Sequence, residues 1–427
     1  MKAYIELWAG RLLRLEPAML AGAILAFAYP SGVRRYWLWL LLLWPLLLGA
    51  RWLARGRLIT RLPLFWPCAA LILLAAFNVY AAPYTRGLEM LARPLLGLWL
   101  CWALIETARD AGSVDRPLWA GAALGAVASV LALGATQWSA SKSGQMWAVI
   151  AALPAIRGFP AFEAGLNPNE IAGALAWLVP LLAGIAIGPA RSLGLRLAAG
   201  AVSAALLLAL FLGQSRAALF GVLGALALIA LLIPTGRRRW LALLGVAALI
   251  ALQTAVMASA FQPARRDTAA ARDEISIGSR FDMQANALEI IRAYPLTGVG
   301  LNMYRDSRVR QAYPTPAMNN RPPHTHNELL QIGTDMGIPG MAVYIWLNGA
   351  AAYMLYWSWR RGDPAARAVS AATAAGLLAH TVYGVADAIP LWDRLAFVYW
   401  LMLGLAGAQH ALVKLELQGQ VRAQRAL

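Results

Sequence analysis

Apolar stretches long enough to cross a bilayer recur along the whole chain, and nothing else in the sequence restricts its fold as strongly. They lie near 17–30, 36–53, 63–82, 88–107, 118–137, 171–189, 194–213, 216–233, 239–260, 337–357, 366–386 and 392–413. A helix needs ~20 predominantly apolar residues to cross ~30 Å of hydrocarbon. The pattern therefore predicts an all-α polytopic membrane protein with about twelve transmembrane helices. Of the 427 residues, 60% are hydrophobic and 13% charged, which excludes an ordinary soluble domain. Cys68 and Cys101 both fall inside apolar stretches without metal-ligand spacing, so they suggest packing rather than a disulfide framework.

Orientation follows from the short connections, because those rich in Lys and Arg stay on the cytoplasmic side. One alternating set holds Lys2, Arg11 and Arg14; Arg51, Arg55, Arg57 and Arg61; Arg109 and Arg116; Arg191 and Arg196; Arg237 to Arg239; and Arg360, Arg361 and Arg367. The other short connections carry mainly Arg34, Arg35 and Arg86. Both termini are then cytoplasmic, and the first apolar stretch is expected to be an uncleaved span, since a second follows almost at once. The same parity puts the 138–170 segment, the turn at Gly213 to Arg216 and a long loop from 261 to 336 outside. The chain divides accordingly into spans over 1–260, the loop over 261–336, and the last spans with a tail over 337–427. The formal charge of +17 mostly reflects cytoplasmic anchors, so it does not imply nucleic-acid binding.

A loop of that length is expected to contain helices or carry function. Gly278-Ser279-Arg280-Phe281-Asp282 opens a helical pattern with Phe281, Ala285, Leu288 and Ile291 on one face, ending before Pro295 and Gly298. Ser279 can cap that helix, which would put Arg280 in its first turn. The loop ends on Pro322-Pro323-His324-Thr325-His326-Asn327-Glu328-Leu329-Leu330. Thr325 and Glu328 fit a capping box, with His326 in the first helical turn. There the helix dipole disfavours an imidazolium, and a neutral imidazole at an aqueous membrane face suits a general base. The plainer alternative is that both histidines only cap or pack.

Arg216, in Gly213-Gln214-Ser215-Arg216, sits on the outer side and in a first helical turn, against both the charge rule and the macrodipole. A bound anion would offset both costs; a snorkelling anchor is the alternative. Arg280 repeats the arrangement, and the two suggest a phosphate-rich ligand. Arg265, Arg266, Arg272, Arg292, Arg305, Arg308, Arg310 and Arg321 would attract anions broadly. Asn167-Pro168-Asn169-Glu170 reads as a helix start, with Asn167 as cap. His380, Asp387 and Asp393 lie at the last outer turn, where ionisable residues carry a functional hypothesis, although Asp393 can simply pair with Arg394. No outward Asp-x-Asp pair, His-Glu-x-x-His element, phosphate loop or nucleophile elbow appears. These absences favour metal-free, ATP-free chemistry on an already activated substrate, without a cofactor. On an outer membrane face, a lipid-linked pyrophosphate is such a substrate.

With Asn167-Pro168-Asn169-Glu170, Ser215-Arg216, Gly278-Ser279-Arg280 and His324-Thr325-His326-Asn327-Glu328-Leu329 in this order, the chain resembles the O-antigen ligase and polymerase superfamily of bacterial envelope glycosyltransferases. The resemblance implies a GT-C-like, lipid-sugar transferase architecture with one large periplasmic loop in the bacterial inner membrane. It implies metal-independent, inverting transfer from an undecaprenyl pyrophosphate donor. Length and the single large loop look most like the ligase that joins O-antigen to lipid A-core oligosaccharide. By that resemblance His326 would be the base, Arg216 and Arg280 would bind the donor pyrophosphate, and His324 and Asn327 would bind substrate. The choice between His324 and His326 stays open. An O-antigen polymerase and a protein O-oligosaccharyltransferase are the near alternatives, and an anionic lipid transporter or flippase the remote one.

Overall fold

The computed structural model describes residues 2–28, 37–85, 87–136, 166–189, 192–260, 266–315 and 324–425. Arg34, Arg35, Arg86, Arg191, Arg265, Arg321 and the 138–165 part of the outer segment lie outside them. The described residues form helices and connecting turns, with no strand beyond an isolated bridge between Thr136 and Leu166. In chain order the α-helices are α1 Lys2–Arg14, α2 Glu16–Ala28, α3 Trp37–Leu41, α4 Leu43–Arg55, α5 Phe65–Ala81, α6 Ala92–Ala111, α7 Asp115–Gly134, α8 Pro168–Ile187, α9 Leu193–Gly213, α10 Arg216–Leu232, α11 Gly236–Ala260, α12 Arg266–Ala293, α13 Ser307–Ala312, α14 Glu328–Arg361, α15 Pro364–Gly384 and α16 Phe397–Arg425. Among the described residues, five stretches are long and apolar enough to cross a membrane: Asp115–Gly134, Pro168–Ile187, Leu193–Gly213, Gly236–Ala255 and Glu328–Arg361. Shorter apolar helices cover Glu16–Leu25, Phe65–Ala81 and Arg216–Leu232. The chain is thus an all-helical membrane protein.

The centre of the bundle is α8, which packs along α9 and α15, while α10 lies on α15 and α16 on α6. Small residues make these crossings close. A Cβ at Gly173 of α8 would stand 2.5 Å from the ring of Tyr383 on α15, and one at Gly221 of α10 would collide with the Ala379 carbonyl. Bulky apolar residues such as Leu73, Phe77 and Leu244 are exposed instead of buried, as lipid-facing positions are. Several arginines read as cytoplasmic anchors have carboxylate partners. Arg51 pairs with the buried Glu16, whose other oxygen accepts Trp99 Nε1 at 3.1 Å. Arg57 lies 3.2 Å from Glu106 and 3.1 Å from Asp110. Cys68 and Cys101 are free and buried.

Two sequence expectations about the outer segment are corrected. The helix expected to open at Gly278 begins at Arg266, so Arg280 is in the interior of α12 and not in a capped first turn. Its buried residues include Met283, Ala287, Ile290 and Ile291, so of the expected face Ile291 is buried while Phe281 and Leu288 are exposed. The packing partner explains the shift: Ile290 belongs to a small cluster with Val299, Met303, Tyr304 and Val309, formed where the chain folds back after α12.

That return is fixed on α14. Gly337 interrupts this helix at φ 68°, ψ −166°, a conformation costly for any side-chain-bearing residue. The break frees backbone groups that a straight helix would pair internally. The preceding segment takes them: Val299 N–H donates to Thr334 O and Ile338 N–H to Pro295 O, both at 2.8 Å.

Candidate active site

Four helix ends meet at one end of the bundle. Asn167 caps α8 by accepting from Asn169 N–H, with proline next and Glu170 in the first turn, as the sequence indicates. Tyr383, near the end of α15, donates its hydroxyl to Asn169 O at 3.0 Å. The turn before α10 lies against Pro168, since a Cβ on Gly213 would be 3.6 Å from it. Glu328 starts α14 opposite Gly384, where an added Cβ would come within 3.0 Å of the glutamate Cβ.

The start of α14 corrects the capping-box expectation. Asn327, not Thr325, is the N-cap, and its Oδ1 accepts Leu330 N–H at 3.0 Å. Thr325 is used differently: its hydroxyl donates to Asn327 O at 2.8 Å, and its N–H donates to Gln331 Oε1 at 3.0 Å. His326 is therefore outside the helix, in left-handed backbone at φ 53°. Such a conformation persists in a non-glycine residue only where the surroundings hold it. They do: Gln284 of α12 donates to His326 O at 3.1 Å. Behind it, Asp335 accepts from Asn302 N–H, Gln331 Nε2 and Trp392 Nε1 at 3.0, 3.1 and 2.7 Å.

This local geometry brings His324 and His326 onto one carboxylate. Asp387 Oδ1 is 3.3 Å from His324 Nε2 and 3.1 Å from His326 Nδ1. The two rings meet edge to face, with centroids 4.5 Å apart. His324 uses both nitrogens. Its Nδ1 accepts the backbone N–H of His326 at 3.3 Å, which leaves the ring proton on Nε2, toward Asp387. Burial lowers its pKa to about 4, against the pull of Asp387 and with help from His326 and Arg305, so the ring is neutral. His326 differs. Its Nδ1 approaches the carboxylate off the line of a full hydrogen bond, and Nε2 makes no hydrogen bond among the described residues. Its side chain is 19% exposed, against 5% for His324, so His326 is the accessible ring.

Asp387 itself remains a carboxylate. Burial pushes it up, but His326, His324 and then Arg280 outweigh burial and hold it below the ordinary value. Arg280 thus lies within electrostatic reach of Asp387, four residues before the Gln284 that holds His326, although its side chain makes no ion pair among the described residues. Arg216 is the first residue of α10, after Ser215, whose side chain makes no capping bond. It is not without a partner, and it starts one of the helices that meet at this end of the bundle. The Asn327 amide is committed to protein on both sides, since Nδ2 donates to Val385 O at 3.2 Å. Asp393 caps the short 3-10 turn Arg394–Ala396.

His324, His326 and Asp387 present three ligand atoms within 4.8 Å of one another, a set worth testing as a metal centre. A ligating histidine normally gives its second N–H to an acceptor. The second nitrogen of His324 faces an N–H donor instead, so the donor set fits two imidazoles sharing one carboxylate better than a cation. The sequence singled out Asp387 only as an ionisable residue near the membrane. Its pairing with His326 joins positions 61 residues apart (387 − 326), and no local pattern signals it. Gln284, Gln331 and Asp335, which hold the site from behind, carried no signal at all.

No curated protein matches the chain. Residues 201–345, the part of the chain that carries Arg216, Arg280, His324 and His326, match the family model described as O-Antigen ligase.

Proposed function

We propose that the protein is a glycosyltransferase that moves O-antigen polysaccharide from undecaprenyl pyrophosphate to lipid A-core oligosaccharide. The reaction takes place at the periplasmic face of the bacterial inner membrane, with both termini cytoplasmic. The observation that carries this reading is the asymmetry of the two histidines within the family domain. His324 spends both nitrogens on protein, whereas His326 has a carboxylate at Nδ1 and Nε2 open. A neutral imidazole with Asp387 at Nδ1 keeps its proton there and accepts at Nε2.

In this mechanism an acceptor sugar hydroxyl attacks the anomeric carbon of the donor. Its proton passes to His326 Nε2 while the bond from that carbon to the pyrophosphate oxygen breaks, and the bonding electrons leave with the pyrophosphate. Attack opposite the leaving group inverts the anomeric centre. A sugar hydroxyl is a very weak acid, so the imidazole helps only as charge develops in the transition state. Asp387 stabilises the imidazolium that forms. Arg280 and Arg216 supply positive charge to the departing pyrophosphate, as preorganised cations do for developing anions. His324 and Asn327 orient His326 and the segment bearing Asp387 by the bonds described above. The test is transfer by purified protein from a lipid-linked donor to lipid A-core. A strain without the gene that still displays long polymer on its lipopolysaccharide would exclude the ligase activity, and single repeats accumulating on the core would point to a polymerase.

A further inference from the structure

Next to the site lie a third histidine and a second carboxylate that the proposed chemistry does not use. Glu328 is 6% exposed at the start of α14, and His380 3% exposed in α15. His380 Nδ1 is 3.1 Å from Gly173 O, and a carbonyl only accepts, so Nδ1 carries the proton. The ring stacks on Trp177 with centroids 3.4 Å apart and planes 14° apart, which fixes its rotation. Its Nε2 then faces Glu328 Oε2 at 3.7 Å. The same oxygen accepts the backbone N–H of Ile389 at 2.7 Å. The start of α14 already has its cap in Asn327, so helix formation does not explain a buried acid, whose burial is costly.

The tether explains it. Asn327 holds Val385 O and Glu328 holds Ile389 N–H, so the segment between them is clamped at both ends. Asp387 is its middle residue, and its Oδ1 also accepts Ala388 N–H at 3.0 Å. We infer that Glu328 is a positioning residue for Asp387: its carboxylate holds the Ile389 N–H and so sets the Asp387 carboxylate against His326. The inference rests on the reading of His326 as base, but it is tested through a different pair of residues.

The test uses full-length purified protein carrying Glu328→Gln, Glu328→Ala, Asp387→Asn and the Glu328→Ala/Asp387→Asn pair in the transfer assay. Glu328→Ala is expected to lower kcat by about 30-fold while donor KM stays within about 2-fold, the pattern of a group that acts only in the transition state. Glu328→Gln keeps an oxygen for Ile389 N–H and is expected to retain kcat within about 3-fold. In the Asp387→Asn background, Glu328→Ala is expected to cost less than about 2-fold, since coupled residues are not additive. Equal cost in both backgrounds, or a kcat loss of about 30-fold in Glu328→Gln, overturns the proposal. Should Glu328→Ala fail to fold, Glu328→Gln decides alone. A fully active His326→Ala protein would remove the base instead, and leaves the 328/387 coupling to be judged by itself.

Discussion

The backbone N–H of His326 donates to Nδ1 of His324 at 3.3 Å, and through this bond the more buried ring orients the more exposed one. His324 cannot both hold that bond and accept a substrate proton at Nδ1, while its Nε2 faces Asp387. The two histidines of one short motif are thereby assigned different tasks.

His326→Ala is expected to lower kcat by about 10²- to 10⁴-fold, the usual range for removing a general base, with the protein still folded. The rate of glycan transfer from purified lipid-linked donor measures it. Turnover close to that of the unaltered protein would remove His326 as the base.

Asp387→Asn is expected to reduce kcat by about 10²-fold or more, because an amide can present N–H to Nδ1 and favour the wrong tautomer of His326. The effect should appear in kcat with acceptor KM little changed. An effect confined to KM would mean that Asp387 contacts substrate instead.

Alanine at Arg280 or Arg216 is expected to reduce kcat/KM for donor by about 10- to 100-fold, in line with the loss of charge-assisted bonds to phosphate. Titrating donor at fixed acceptor, and then the reverse, separates the two substrates. Unchanged donor dependence in both variants would end their assignment to the pyrophosphate.

Stability is expected to fall on acidification, and His324 is one cause. Its pKa is lowered from 6.5 to about 4 by burial, so the unfolded chain binds a proton that the folded protein refuses. The contribution is complete above about 6.5 and is lost as pH falls toward about 4. Asp387, also held below its ordinary value, adds its own loss only at still lower pH. Thermal unfolding in detergent at pH 7.5 and pH 5 measures the slope. His324→Asn, which removes the titrating ring, should flatten it; identical slopes would refute the assignment.

Gly337→Ala is expected to destabilise the protein by about 1–3 kcal/mol, the cost of holding a side chain in this backbone region. The added Cβ would also stand 2.5 Å from Pro295 O. A thermal midpoint equal to that of the unaltered protein would show that the break in α14 relaxes without penalty.

The helices were largely legible, because burial in a bilayer writes itself as apolar length. The expected stretches 194–213 and 216–233 became Leu193–Gly213 and Arg216–Leu232 with little adjustment. Helix starts were legible where one residue does one job, as Asn167 does. At Thr325 the capping-box expectation failed, because its N–H and hydroxyl bond to Gln331 and Asn327 instead and Asn327 caps the helix. Arg280 was misplaced because Gly278 and Ser279 look like a terminus, whereas the helix runs through them from Arg266. The site was half legible. His326, Arg216 and Arg280 stood out by charge in unusual places, but Asp387 and Glu328 gain their meaning from partners in distant helices.

The junction at Gly337 bears on how the cation and the candidate base are kept in register. Thr334 O and Ile338 N–H are taken by the 295–299 segment, and Gln284 is bonded to His326 O, so the start of α14 is tied to α12 and to the segment that follows it. The spacing between Arg280 and His326 is then a property of the folded chain, present before any lipid arrives. If Arg280 and His326 act as proposed, a loosened junction is expected to slow transfer even with every reacting group intact.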